Sequence, residues 1–153
     1  MRHNQQIVIE QPVDRVVELF DSSENMKEWF PGFIGMEPIS GEPGQVGSTS
    51  RMSFKSGKNT IEMIETITVR NFPDEFSGEY VVIGKGIVNR MTNRFIPVDA
   101  NTTRYEAVTD YEFSGLGMRL MSMFIGPMIK KQSYKTMRLF KEFAERQPTA
   151  AEA

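Results

Sequence analysis

Carboxylates, phenols and amides carry whatever chemistry this chain performs, because the commoner catalytic side chains are scarce. Cysteine is absent and His3 is the only histidine. That removes thiolate nucleophiles, disulfides and thiolate-held metals together. His3 is expected at a frayed N-terminal end, which leaves no histidine for a Ser-His-Asp triad, an HExxH zinc site or a multi-histidine metal site. No glycine-rich phosphate cradle or dinucleotide fingerprint is present either. The expectation is therefore no metal and no cofactor.

Glu65 is the sharpest candidate for acid–base work. In segment 59–70 the residues Ile61, Met63, Glu65, Ile67 and Val69 fall on one face, so the carboxylate interrupts an apolar row. A carboxyl buried there has a raised pKa and can act as a general acid or base. A β-bulge that turns it outward, or a salt bridge to a nearby arginine, would give the same sequence without function. Tyr80, Tyr105 and Tyr111 can each offer a phenol to a ligand carbonyl, or simply pack with an incidental hydrogen bond. In segment 86–97, Asn89, Met91, Asn93 and Phe95 oppose Arg90 and Arg94. An unpaired buried amide costs about 1–3 kcal/mol, so inward asparagines must meet a ligand, water or each other. The opposite register would turn the two arginines inward and make the site bind anions. Eleven methionines, among them Met118, Met121, Met123 and Met128 near the C-terminus with Met52, Met63 and Met91 on strands, suit a soft wall for a ligand or gap filling in a core.

The elements that must position these groups follow from periodicity. A first strand is expected over 5–10, then a short helix led by Pro12 with Val13, Val16, Val17 and Phe20 on one face. Asp21-Ser22-Ser23 offers capping chemistry for a second short helix over 24–29, ended by Pro31 and Gly32. Glycines then punctuate strands at 34–40, 48–56, 59–70, 75–84, 86–97 and 102–113. In the last, Thr103, Tyr105, Ala107, Thr109, Tyr111 and Phe113 alternate with Arg104, Glu106, Asp110 and Glu112, the mark of a sheet with one dry side. Residues 116–146 read as one long helix, bent or hinged at Gly126-Pro127.

The chain length of 153 residues suits one domain, expected over 1–146 with a loose tail over 147–153. No apolar run reaches the roughly 20 residues needed to span a bilayer, and the N-terminus has no apolar signal stretch. A cytoplasmic, soluble protein is expected. Net charge is −2, with 11 basic and 17 acidic residues in 1–115 against 7 basic and 2 acidic in 116–146. The basic helix reads as a solvated face, and nucleic acid is not expected because aromatics are not interleaved with the cations.

The order strand, two short helices, six strands and a long helix resembles the α+β helix-grip fold of the START-like (SRPBCC) superfamily, nearest its polyketide cyclase/dehydrase-like branch. The residues that carry the likeness are Ile9-Glu10-Gln11-Pro12 leading into Val13 to Phe20, Trp29-Phe30-Pro31, Gly44-Gln45-Val46-Gly47-Ser48, Glu65 with Phe72-Pro73, and Leu139-Phe140-Lys141-Glu142-Phe143. The family includes birch-pollen allergens, polyketide cyclases, quinone-binding proteins and heat-shock co-chaperone domains. The resemblance implies a curved antiparallel sheet of about seven strands wrapped around the long helix. Between them it implies a cavity for a lipid, sterol, quinone or polyketide, with Trp29 near its mouth.

Three functions compete. The first is carriage or sensing of a small hydrophobic or aromatic metabolite in a cavity lined by Phe54, Met63, Tyr80, Asn89, Met91, Asn93, Phe95, Tyr105, Thr109, Met121, Phe124, Ile125 and Met128. The second is a polyketide cyclase-, dehydratase- or hydrolase-like enzyme using Glu65, with Tyr105 or Asn93 polarising a carbonyl. The third is a co-chaperone-like protein-interaction domain, in which the basic helix and the Trp29-Phe30-Pro31 loop contact an acidic partner and which would show an exposed apolar patch. Stable membrane insertion is not expected, and a homodimer is compatible with all three.

Overall fold

The computed structural model describes residues 1–149. Strand β1 (Arg2–Ile9) is followed by helix α1 (Val13–Phe20), a 3-10 turn (Ser23–Asn25) and the short helix α2 (Met26–Trp29). Six strands come next: β2 (Phe33–Ser40), β3 (Thr49–Ser56), β4 (Asn59–Asn71), β5 (Glu75–Val82), β6 (Ile87–Asp99) and β7 (Thr102–Phe113). Helix α3 (Leu116–Arg146) ends the architecture. The seven strands form one antiparallel sheet in the order β1-β7-β6-β5-β4-β3-β2. Strands β2 to β7 are a meander, and the N-terminal strand closes the far edge beside β7. Tight turns make this possible: Gly57, at φ 60°, takes the first position of the two-residue turn between β3 and β4, where a side chain would be strained.

The alternation in β7 sorts its residues as expected. Thr103, Tyr105, Ala107, Thr109 and Phe113 are buried. The opposite face is solvated and laced by cross-strand ion pairs, with Arg90 reaching both Glu79 and Glu112 at 3.0 Å. Exposed pairs of this kind are screened by water and contribute little to stability. The core gathers where α1, α2 and the C-terminal half of α3 meet β6 and β7. The Phe20 ring touches Trp29, Phe95, Tyr105 and Phe140 with centroids 5.0–6.1 Å apart.

Gln11, buried between β1 and α1, explains how α3 ends. Its side-chain amide donates to the carbonyls of Ala144 and Gln147 at 2.9 and 2.7 Å, satisfying groups that a helix C-terminus leaves unpaired. The Arg15 guanidinium likewise donates to the Pro148 carbonyl at 2.9 Å. Gln147 and Pro148 are thus held, whereas residues 150–153 of the tail expected to be loose lie outside the described residues.

Two local expectations need correcting. His3 is not at a frayed end: it pairs with Thr109 within β1 and is 8% exposed. Ser22 precedes the 3-10 turn but makes no side-chain cap, and Asp21 instead accepts two hydrogen bonds from Arg70 at 2.8 and 2.6 Å. A bidentate charged pair outweighs a neutral cap. Helix α3 continues through Pro127, so the bend or hinge expected at Gly126-Pro127 does not interrupt it, and at Gly126 a Cβ would sit 2.7 Å from the sulfur of the flexible Met1 side chain.

Candidate ligand-binding site

Strand register assembles a polar row across the inner face of the sheet. Ser50 on β3 lies opposite Glu65 on β4, Glu65 opposite Tyr80 on β5, Tyr80 opposite Asn89 on β6, and Asn89 opposite Tyr111 on β7. Four strand spacings make this row about 19 Å long. One side of it is lined by Met52, Met63, Val82, Ile87 and Phe113, and the other by Ile67, Gly78, Met91, Thr109 and His3. The result is a hydrogen-bonding strip along the mostly apolar inner face of the sheet, the candidate trough for a ligand. Gly78 matters here because a Cβ at that position would stand 3.1 Å from the Tyr80 hydroxyl, so the missing side chain makes room for the phenol.

Glu65 stays on the inner face and is 8% exposed. The β4 irregularity falls between Ile67 and Val69, beyond the carboxylate, so no bulge turns it outward. Burial raises its pKa, opposed by a hydrogen bond from Tyr80. Tyr80 is pushed well above the ordinary phenol value, by burial first and then by the neighbouring carboxylate. The phenol is therefore held neutral with its proton directed at Glu65, and the carboxyl is moved towards taking up a proton, which suits it to accept from a ligand hydroxyl. Asn89 Oδ1 is buried with no hydrogen-bond partner among the described residues. It is an acceptor facing the trough from the other side of Tyr80.

His3 joins this site although its type and position in the sequence argued against it. Its ring stacks on Tyr111 with centroids 6.1 Å apart, and neither ring nitrogen has a partner among the described residues. Burial, Lys130 and the N-terminal ammonium all lower its pKa, so the imidazole is neutral and presents one donor and one acceptor. Extending the alternation of Ile7 and Ile9 backwards through Gln5 would have placed His3 on the inner face.

The asparagine register is the expected one: Asn93 is 1% exposed and Arg90 and Arg94 face solvent. Asn93 is not available to a ligand, however. It accepts from the Tyr105 hydroxyl at 2.7 Å and donates to the Phe76 carbonyl at 3.2 Å. Tyr105 and Phe95 stack at 4.9 Å in the core. These three residues pack together rather than line the trough. Trp29 is also a core residue, with its ring 4.9 Å from that of Phe140 and its Nε1 buried without a partner among the described residues. Phe54 packs on Phe30 and Phe33.

Helix α3 divides the remaining candidates. Ile125 is half-buried on the flank that includes Met118, Ser122 and Ile129. Met121, Phe124 and Met128 are 53%, 82% and 65% exposed and do not reach the trough. Apolar residues surround this half of the helix on all sides, so their list alone does not give its rotational phase. The phase is set on the sheet side, where Gln5 of β1 donates to the Lys130 carbonyl at 2.9 Å and Tyr111 of β7 lies beside Ser133. No group of three acidic or histidine side chains among the described residues could hold a metal.

No family model matches the chain, and no curated protein is similar to it in sequence. Solved structures are similar in fold. The Zhui aromatase/cyclase from Streptomyces sp. R1128 superposes with a TM-score of 0.81 at 13% identity, covering 99% of this chain and 97% of its own. Ara h 8.0201 gives 0.78 at 10% identity, over 96% and 99%. Norcoclaurine synthase from Thalictrum flavum, in complex with dopamine and hydroxybenzaldehyde, gives 0.69 at 16% identity, over 97% and 89%. With its seven-stranded antiparallel sheet, two early short helices and long C-terminal helix, the chain has the helix-grip fold of the START-like proteins.

Proposed function

We propose that the inner face of the sheet binds a small hydrophobic or aromatic molecule carrying hydrogen-bonding oxygen atoms, for carriage or sensing. The observation that supports this best is the polar row itself, in which Glu65, Tyr80 and Asn89 stand side by side between rows that include Met52, Met63 and Met91. Buried polar groups are costly unless paired, so ligand hydroxyls donating to Asn89 Oδ1, to the Glu65 carboxylate or to the free lone pair of the Tyr80 oxygen would complete them. A neighbour in fold that holds dopamine and hydroxybenzaldehyde makes hydroxylated aromatics the first ligands to try. Calorimetric titration with hydroxynaphthalenes and hydroxyanthraquinones tests the reading. Binding that weakens about tenfold in Tyr80→Phe and in Asn89→Ala is expected, at about 1.4 kcal/mol for each lost hydrogen bond. Absence of binding across the series would refute it.

A second reading, a cyclase-, dehydratase- or hydrolase-like enzyme, is favoured by the raised pKa of Glu65 beside Tyr80. A carboxyl moved towards neutrality is suited to proton transfer. In this reading Tyr80, rather than Tyr105 or Asn93, polarises the carbonyl. Glu65→Gln would then keep affinity and lose turnover, whereas a carrier has no turnover to lose.

A further inference from the structure

The first half of α3 is apolar on the side that the protein does not use. Leu116, Leu120, Met123 and Phe124 are 78%, 58%, 76% and 82% exposed. Their spacing of four, three and then one residue puts them on a single stripe. The sheet-facing flank is a different one, with Met118, Ser122, Ile125 and Ile129 half-buried and Gly126 buried. Beyond Pro127 the outward stripe continues as Lys131, Tyr134, Lys135 and Arg138, all exposed. Between Leu116 and Phe140 there are five cations and no carboxylate. None of the five, Arg119, Lys130, Lys131, Lys135 and Arg138, forms a salt bridge among the described residues. Where the two halves join, Pro127, Lys130, Lys131 and Tyr134 line a surface depression of about 490 Å³ with Asn4 and Gln5.

We propose that this outer face of α3 is a docking surface for an anionic lipid bilayer. The helix lies in the headgroup plane, with Leu116, Leu120, Met123 and Phe124 in the acyl boundary and Lys131, Lys135 and Arg138 on lipid phosphates. An apolar stripe beside a run of lysine and arginine is the composition of an interfacial helix, while lysine is depleted from the cores of protein interfaces. A second copy of the chain fits poorly, because a two-fold contact through this face sets five cations against five. The acidic remainder of the chain, 17 carboxylates against 11 cations in residues 1–115, orients the body away from the same bilayer. The association is peripheral, since no helix among the described residues is long and apolar enough to cross a membrane. It concerns the outside of α3 and is independent of what the trough binds.

Vesicle flotation of the full chain without added ligand tests this. The protein should float with vesicles of phosphatidylcholine mixed with phosphatidylglycerol and not with phosphatidylcholine alone. Binding should fall as salt rises from about 0.1 to about 1 M, where the screening length shrinks from about 10 to about 3 Å. The double variant Leu120→Ser/Phe124→Ser should lose roughly tenfold or more in partitioning, and Lys131→Glu/Lys135→Glu should lose the preference for anionic lipid. All four side chains are exposed, so unchanged melting temperatures serve as the folding control. Failure of the wild-type chain to float with anionic vesicles, or equal flotation of the serine variant, would overturn the proposal. A dimer that the serine substitutions dissociate, without vesicle binding, would assign the face to a second copy instead.

Discussion

Asn93 and Tyr105 are two polar residues of the inner face that serve each other, and removing one should cost more than removing both would suggest. They stand on β6 and β7 at 1% and 6% exposure, joined by the 2.7 Å hydrogen bond. Tyr105→Phe strands Asn93 Oδ1 in the core, at about 1–3 kcal/mol. Asn93→Leu strands the Tyr105 hydroxyl, at about 1–3 kcal/mol, and removes the side-chain bond to the Phe76 carbonyl as well. In the double variant neither of those stranded groups remains, so its loss should fall short of the sum of the two single losses by about 2–6 kcal/mol. In a chain of this size about 2 kcal/mol lowers the melting temperature by about 4–8 °C. Urea titration and thermal melting of the four proteins measure the cycle, and calorimetry should find ligand affinity unchanged in Tyr105→Phe. Additivity within about 0.5 kcal/mol, or lost ligand affinity with an unchanged melt, would refute the separation of core pair from trough.

Three other outcomes follow from the same geometry. Because burial raises the folded-state pKa of Glu65, the carboxylate costs stability: the folded state is favoured below its ordinary value of 4.5, loses ground as pH rises through the raised pKa, and levels off above it. Glu65→Gln should therefore match the wild type in acid and exceed it at neutral pH, as urea midpoints across that range will show. Phe140→Ala empties a fully buried site between Phe20 and Trp29; it should cost about 3–5 kcal/mol and shift Trp29 emission to the red. Thr103→Val removes the 2.8 Å hydrogen bond from a fully buried hydroxyl to the Gln11 carbonyl and should cost about 1–2 kcal/mol in urea unfolding.

Legibility in the sequence tracked how much of each element's pattern was one-sided. β7 alternates a dry face with a charged one, and its residues, its bounds over 102–113 and its direction match the structure. α3 was readable in extent over 116–146, but not in phase, because Met121, Phe124 and Met128 are apolar on a side that Ile125 does not share. β1 begins at Arg2 rather than near Gln5; its polar start hid the inward turn of His3 and Gln5, which long-range pairing with β7 imposes. Glu65 could be placed on an inner face from its neighbours Met63 and Ile67, whereas its companion Tyr80 depended on register across a hairpin. The mutual commitment of Asn93 and Tyr105 was likewise invisible, since no one-dimensional pattern records a hydrogen bond between strands.

Methionine-methyl NMR tests the central claim most directly, because methionines sit in each environment that matters. Met63 and Met91 flank the polar row, Met137 is buried in the core at 4% exposure, and Met123 is on the outer stripe at 76%. On titration with a hydroxynaphthalene or hydroxyanthraquinone, the Met63 and Met91 resonances should shift with a common saturation while those of Met137 and Met123 hold still. Saturable shifts at Met123 with Met63 and Met91 unmoved would place the ligand outside the trough and contradict the account.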